Sequence, residues 1–129
     1  MATGFPAATG DVLSAAMYNG LVAFTINAQT GTTYTTALTD SYQVLVTMNN
    51  ASSNALKIPT NASVAHPIGT VITVLNKGAG LTTISAVTSG TTTILSAGAT
   101  VAQPTLAAYK SAACIKVDTD TWYVVGAIA

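Results

Sequence analysis

Residues 70–86 read TVITVLNKGAGLTTISA, and this stretch decides the fold class. Val71, Ile72, Val74 and Leu75 fill Thr70–Asn76 with Thr73 set opposite Val74, a composition that favours a pleated strand over a helix. Lys77-Gly78-Ala79-Gly80 then interrupts the run with turn-forming residues, and Leu81–Ala86 resumes it in the same Thr/Ile texture. The glycine pair superficially looks like a phosphate loop. It lacks the Lys-Ser/Thr that would follow and the helix that would open there, so it reads as a turn.

The same alternation of short β-favouring runs and turn chemistry extends in both directions. Thr33–Leu38, Tyr42–Met48, Ala55–Ile58, Thr91–Leu95, Tyr109–Val117 and Thr121–Gly126 are candidate strands, separated by Thr39-Asp40-Ser41, residues 49–54, Ser89-Gly90, Ala97-Gly98 and Asp118-Thr119-Asp120. About eight short strands at near-even spacing predict an all-β fold, a small sandwich or barrel, over residues 32–129. The apolar/polar alternation is blurred in most of these strands, as expected where both faces of a sheet are partly covered. Uncharged Thr/Val/Ile runs with few Lys or Pro guards are also what edge-to-edge association uses, so closure or pairing within an oligomer is expected.

Residues 1–31 differ in texture. Phe5-Pro6 opens an extended lead; Asp11 is a suitable N-cap and Asn19-Gly20 a suitable stop for a short helix between them. Leu13, Met17 and Leu21 recur every fourth residue with Phe24 beyond, and Val12 and Tyr18 flank the stripe. A helix of two turns is marginal alone, so this segment is expected to dock, either as an attachment arm on a partner subunit or a receiving shell or on its own β domain.

The charge content is the second informative feature. Of 129 residues 6% are charged, against about 25% in an ordinary soluble domain. There is no Glu or Arg, and Asp11, Asp40, Asp118 and Asp120 cancel Lys57, Lys77, Lys110 and Lys116. Four scattered lysines cannot build a phosphate-binding footprint, so nucleic acid is not an expected partner. Neither is a membrane: basic clusters are absent, and the longest weakly polar stretch, Val12–Ile26, is interrupted by Ser14, Asn19, Gly20 and Thr25. The N-terminus has neither a basic start nor a continuous apolar run, so no secretory signal is expected. A chain with zero net charge and positive mean hydropathy tends to self-associate, which points to a surface covered by neighbours.

Candidate chemistry is sparse. His66 is the only histidine, in a loop between strands where a structural or solvent-facing place is expected; Cys114, in Ala112-Ala113-Cys114-Ile115, reads as a buried inert thiol. Asp118 and Asp120 lack the further oxygen ligands calcium needs and read as a hairpin turn of Asx type. No metal, cofactor or catalytic constellation is expected, and the chain is read as a non-enzyme. The sequons at Asn50 and Asn61 read as chance matches. Trp122-Tyr123 is the one aromatic pair, available to stack on a sugar or to anchor a core or interface.

Taken in order, Thr33–Asp40 (TYTTALTD), Val46–Ser52 (VTMNNAS), Ile58–Thr70 (IPTNASVAHPIGT), Gly78–Gly80, Tyr109–Ala113 (YKSAA) and Asp120–Gly126 (DTWYVVG) resemble a β module of tailed-bacteriophage virion proteins. Gly10–Asn19 (GDVLSAAMYN) is similar to the attachment leads of phage fibre and appendage proteins. The resemblance implies a virion structural protein assembled in the host cytoplasm, in contact with the major capsid protein or another virion protein. No shaft or coiled coil follows the lead, so the size suits a homotrimeric capsid decoration (cement) protein. The alternative is a short head-fibre or tail-tip adhesin that meets a host glycan or protein through Trp122 and Tyr123.

Overall fold

The computed structural model describes residues 14–15, 23–97 and 101–129. Within them the chain is all-β. Ten strands run in chain order: β1 (Thr25–Gln29), β2 (Thr33–Thr35), β3 (Val44–Met48), β4 (Asn54–Ile58), β5 (Val71–Asn76), β6 (Thr82–Ala86), β7 (Thr93–Ser96), β8 (Thr105–Leu106), β9 (Ser111–Asp118) and β10 (Thr121–Gly126). A 3-10 turn, Leu38–Ser41, interrupts them.

From β1 to β9 successive strands alternate between two sheets, and β10 stays in the sheet of β9. One has six strands in the order β1-β3-β5-β9-β10-β7, the other four in the order β2-β4-β6-β8. The pairs β1/β3, β3/β5, β2/β4 and β4/β6 are parallel, so the chain climbs in coils with one strand of each coil in each sheet. Leu45 pairs with Thr73 and Ala55 with Thr83, so the same sequence offset runs through both sheets. Antiparallel β9 and β10, with β7 parallel to β10 at the edge, complete the six-stranded sheet, and antiparallel β8 completes the other.

Residues 49–53 and 77–81 form stacked corners between the sheets. Gly80 N donates to Asn50 O at 2.9 Å, Lys77 N to Met48 O at 2.7 Å and Asn54 N to Leu81 O at 2.9 Å. The stacking is close enough to demand glycine. A Cβ on Gly78 would lie 2.4 Å from Asn50 backbone atoms, and one on Gly80 would lie 1.9 Å from Ser52 O. Asn76 locks the corner from inside: its Nδ2 donates to Gly80 O and Leu106 O, and its Oδ1 accepts from Gly78 N.

Both sheets contribute to one core. Val46, Met48, Ile72, Val74, Cys114, Trp122 and Val124 from the six-stranded sheet meet Leu56, Ile58, Ile84 and Leu106 from the other. Each large apolar side chain among them contributes roughly 1.5–3 kcal/mol on leaving water, and this burial is the main force holding the coils together. The first coil is the exception, because its inward positions are polar. Asn27 Nδ2 donates to Tyr34 Oη and to Asp40 Oδ1, Tyr34 Oη donates to Asp40 Oδ2, and Gln29 Nε2 donates to Asn27 Oδ1. Burial and the adjacent Asp40 carboxylate push the Tyr34 phenol up to about 12.

Two strands differ from the sequence expectation, and the turns divide by role. Thr25–Gln29, inside the stretch assigned to an attachment arm, is a strand: parallel pairing with β3 gives it the ladder bonds its composition does not demand. Thr105–Leu106 is a strand too short to announce itself. The turns at residues 49–53 and 77–81 carry the chain from one sheet to the other, whereas Asp118-Thr119-Asp120 does close a hairpin, with Thr119 N donating to Asp118 Oδ1. The arm residues Val12, Leu13, Met17, Tyr18 and Leu21 lie outside the described residues, and with them the short helix.

Candidate functional site

The register of the six-stranded sheet fixes what its outer face presents. Core residues on one parity leave the other parity pointing outward, and these fall into rows across the strands. One row runs Ala28–Thr47–Leu75–Ser111 and the next Ile26–Leu45–Thr73–Ala113–Val125. A third runs Val71–Ile115–Tyr123–Leu95. None of these side chains is charged. Ile26, Val71, Tyr123 and Val125 are each about half exposed, at 56%, 45%, 44% and 50%. With the part-buried Leu45, Leu75, Ile115 and Leu95 they make the large side chains of this face predominantly apolar.

The four-stranded sheet turns a different face outward. Its rows are Thr33–Ala55–Thr83–Thr105 and Thr35–Lys57–Ser85, small or hydroxylated apart from one lysine. Beside Lys57 and Ser85 a shallow cleft opens against Gly90, Ala102 and Gln103. No large hydrophobic side chain stands in either row.

Between the sheets, the polar side chains form a clasp around the connection from β4 to β5. His66 is 2% exposed. Its Nδ1 lies 2.5 Å from Ser41 Oγ and its Nε2 3.1 Å from Thr36 Oγ1, while Trp122 packs its ring edge-to-face at 5.5 Å. Lys116 projects inward from β9, is 2% exposed, and donates from Nζ to Asn61 Oδ1 and His66 O, both at 2.7 Å. Its ammonium also stands 6.0 Å from the Trp122 ring centre. Asp120 accepts from Asn61 N and from Thr92 Oγ1.

The electrostatics of the clasp follow from burial. Desolvation, and then the neighbouring Lys116 charge, lower the His66 pKa below 6.5 against an opposing pull from Asp40, so the imidazole is neutral at pH 7. Desolvation likewise lowers Lys116 below 10.5, opposed by Asp120. Ser41 and His66 have the pairing of a nucleophile and a base. Thr36 occupies the second ring nitrogen, where a relay needs a carboxylate, and the Asp40 carboxylate is taken up by Tyr34, Asn27 and Ala37 N. Chemically the arrangement fixes a loop to two sheets. Burial pushes the Cys114 thiol up to about 12, which leaves it protonated. Among the described residues no three His, Cys, Asp or Glu side chains gather as a metal site.

The residues singled out in the sequence therefore separate. Trp122 is 1% exposed and belongs to the core and clasp, so it is not on a surface where a ligand could stack; Tyr123, one position on, points outward at the centre of the third row. His66 is enclosed and bonded at both nitrogens, which excludes the solvent-facing alternative. Phe24 stands just before β1 and is 55% exposed, next to the apolar face. Sequence reasoning alone misses the outer-face residues Leu45, Val71, Leu75, Ile115 and Val125. Their signal is the apolar character of both parities in β3, β5, β9 and β10, against the alternating Asn54–Ile58.

Fold and surface together define an all-β protein of two sheets whose larger sheet carries uncharged, apolar-rich rows on its outer face, with no group of three metal-ligating side chains among its described residues. No protein-family model matches the chain, and neither the curated proteins nor the solved structures contain a match to it.

Proposed function

We propose that this chain is a non-enzymatic structural protein of a bacteriophage virion, a capsid decoration protein whose two sheets pack as a β-sandwich and which staples neighbouring subunits by apolar contact. The observation that carries the proposal is the set of uncharged rows on the outer face of the six-stranded sheet, in one of which Val71, Ile115, Tyr123 and Leu95 stand side by side. Such a surface is costly in water and becomes favourable once covered, so a protein built around it works in an assembly. The resemblance of residues 33–126 to phage β modules supports the virion setting, and a homotrimer over junctions between major capsid proteins gives each copy several weak contacts acting together.

The fold also suits a passive clamp. Parallel coils joined by stacked corners and a buried polar clasp fix the strands of the sheet in register, and a pre-organised surface loses less entropy on docking. The test is a comparison of particles with and without the protein. Heads lacking it are expected to lose heat resistance while adsorbing to cells normally, and hundreds of copies per particle are expected by quantitative mass spectrometry. Unchanged heads with lost adsorption would instead assign the protein to host attachment.

A further inference from the structure

We infer that the outer face of the six-stranded sheet is occupied by a second copy of this chain, with its own six-stranded sheet turned toward the first. The inference rests on the assembly reading above and names the partner for that surface. Three observations carry it. The first is electrical: no charged side chain stands in the outward rows from Ile26 across to Leu95, so two copies meet without like-charge repulsion and without stripping water from an ion. A partner with an ordinary charged surface would have to bury its own unpaired charges there.

The second is size. Six strands at ~4.8 Å spacing and a mean length near six residues give a flat footprint of about 500 Å², before side-chain relief is counted. That is of the order of the ~800 Å² per partner of a specific interface. Three such faces around a three-fold axis would close a prism with each sheet ~7 Å from the axis, close to the half-spacing of packed sheets, so the width also suits the trimer proposed above.

The third is relief. Thr73 and Ala113 are adjacent small residues in the middle of the second row, bordered by Leu45 on one side and by Ile115 and Tyr123 in the next row. A self-association that places a large side chain of one copy over the small pair of another is satisfied reciprocally, as a symmetric oligomer requires.

Sedimentation velocity on the purified full chain across a concentration series tests this. The wild type is expected to sediment as a dimer or trimer at micromolar concentration. Ile115→Asp is expected to weaken association roughly 100-fold, the scale of a central interface residue, and Thr83→Asp on the other sheet to leave it unchanged. Near-ultraviolet circular dichroism verifies that Ile115→Asp folds; if it does not, Val125→Lys at the edge of the same rows replaces it. A wild-type chain that stays monomeric at all concentrations overturns the inference, as does equal weakening by Thr83→Asp. Whether that monomer still binds heads lacking the protein separates the two ideas: binding leaves the decoration reading standing, and no binding removes it as well.

Discussion

The two sheets share a core and a mode of folding, yet their outer faces have opposite chemistry. The six-stranded sheet shows water Ile26, Val71, Tyr123 and Val125; the four-stranded sheet shows it Thr33, Thr35, Thr83 and Lys57. Since β3 and β4, or β5 and β6, follow one another in a single coil, the difference cannot come from regional composition or from distinct domains. It is written residue by residue, by what occupies the outward parity of alternate strands. Thr and Ser keep the second sheet polar at no cost to β propensity, whereas Val, Ile, Leu and Tyr on the first leave apolar surface in water.

The largest effect is expected where both faces depend on the same structure. Gly80→Ala sets a methyl group 1.9 Å from Ser52 O, and only the backbone can yield. A loss of about 3 kcal/mol, the upper end for overpacking, lowers the thermal midpoint by ~10 °C for a domain of this size. Both faces should be lost together, as read by differential scanning calorimetry alongside sedimentation. A variant that melts normally would show that the corners at residues 49–53 and 77–81 do not hold the coils in place.

A substitution confined to one face should divide the two properties. Tyr123→Ala removes the central outward aromatic of the third row without touching the core, so association should weaken about tenfold with a thermal midpoint within a few degrees of wild type. Thr35→Ala, its counterpart in setting on the four-stranded sheet, should change neither quantity. Equal responses at the two positions would erase the contrast between the faces.

Much of this contrast is legible in the sequence. Strands at Val44–Met48, Val71–Asn76 and Thr121–Gly126 follow from β-branched and aromatic runs between turns, and the blurring of alternation in them reflects apolar residues on the outward parity as well as the inward one. Less legible is the path of the chain. A turn such as Lys77-Gly78-Ala79-Gly80 has the same composition whether it reverses a strand within one sheet or hands it to another, and only the corner beneath it, at Asn50 and Ser52, reveals which. Thr25–Gln29 is hidden for a related reason: its strand character comes from the β3 ladder and not from its own residues. The clasp is hidden because Thr36, Ser41, Asn61, His66 and Lys116 are scattered in sequence and meet only through the fold.

That clasp sets the pH response, and it should act on folding and not on the apolar face. The folded state holds His66 below its unfolded pKa of 6.5, so between those two values the unfolded chain binds more protons. Stability is therefore full above about pH 6.5 and declines as the pH falls below it, because a buried imidazolium must be accommodated beside Lys116. Urea denaturation at pH 7.5 and pH 5 should show a lower midpoint at the acid value, and His66→Gln should reduce that difference. Association measured at pH 5 on chain that remains folded should match the neutral value. If it drops while the fold is intact, a titrating group lies in the interface after all.

The smallest expected effect is that of salt, and its smallness is diagnostic. At 1 M ionic strength the Debye length is about 3 Å, so exposed charge pairs lose most of their interaction, and an interface held by lysines and aspartates would loosen steeply. The rows from Ile26 to Leu95 offer no charge to screen, while Lys57 lies on the opposite sheet and Lys116 is enclosed. Raising NaCl from about 0.05 to about 1 M should therefore change the dissociation constant by less than about threefold, and any change should be toward tighter association, because strong electrolyte favours apolar burial. A tenfold weakening over that range would move the interface away from the six-stranded sheet and toward the charged rim, where the exposed Lys77, Lys110 and Asp118 stand.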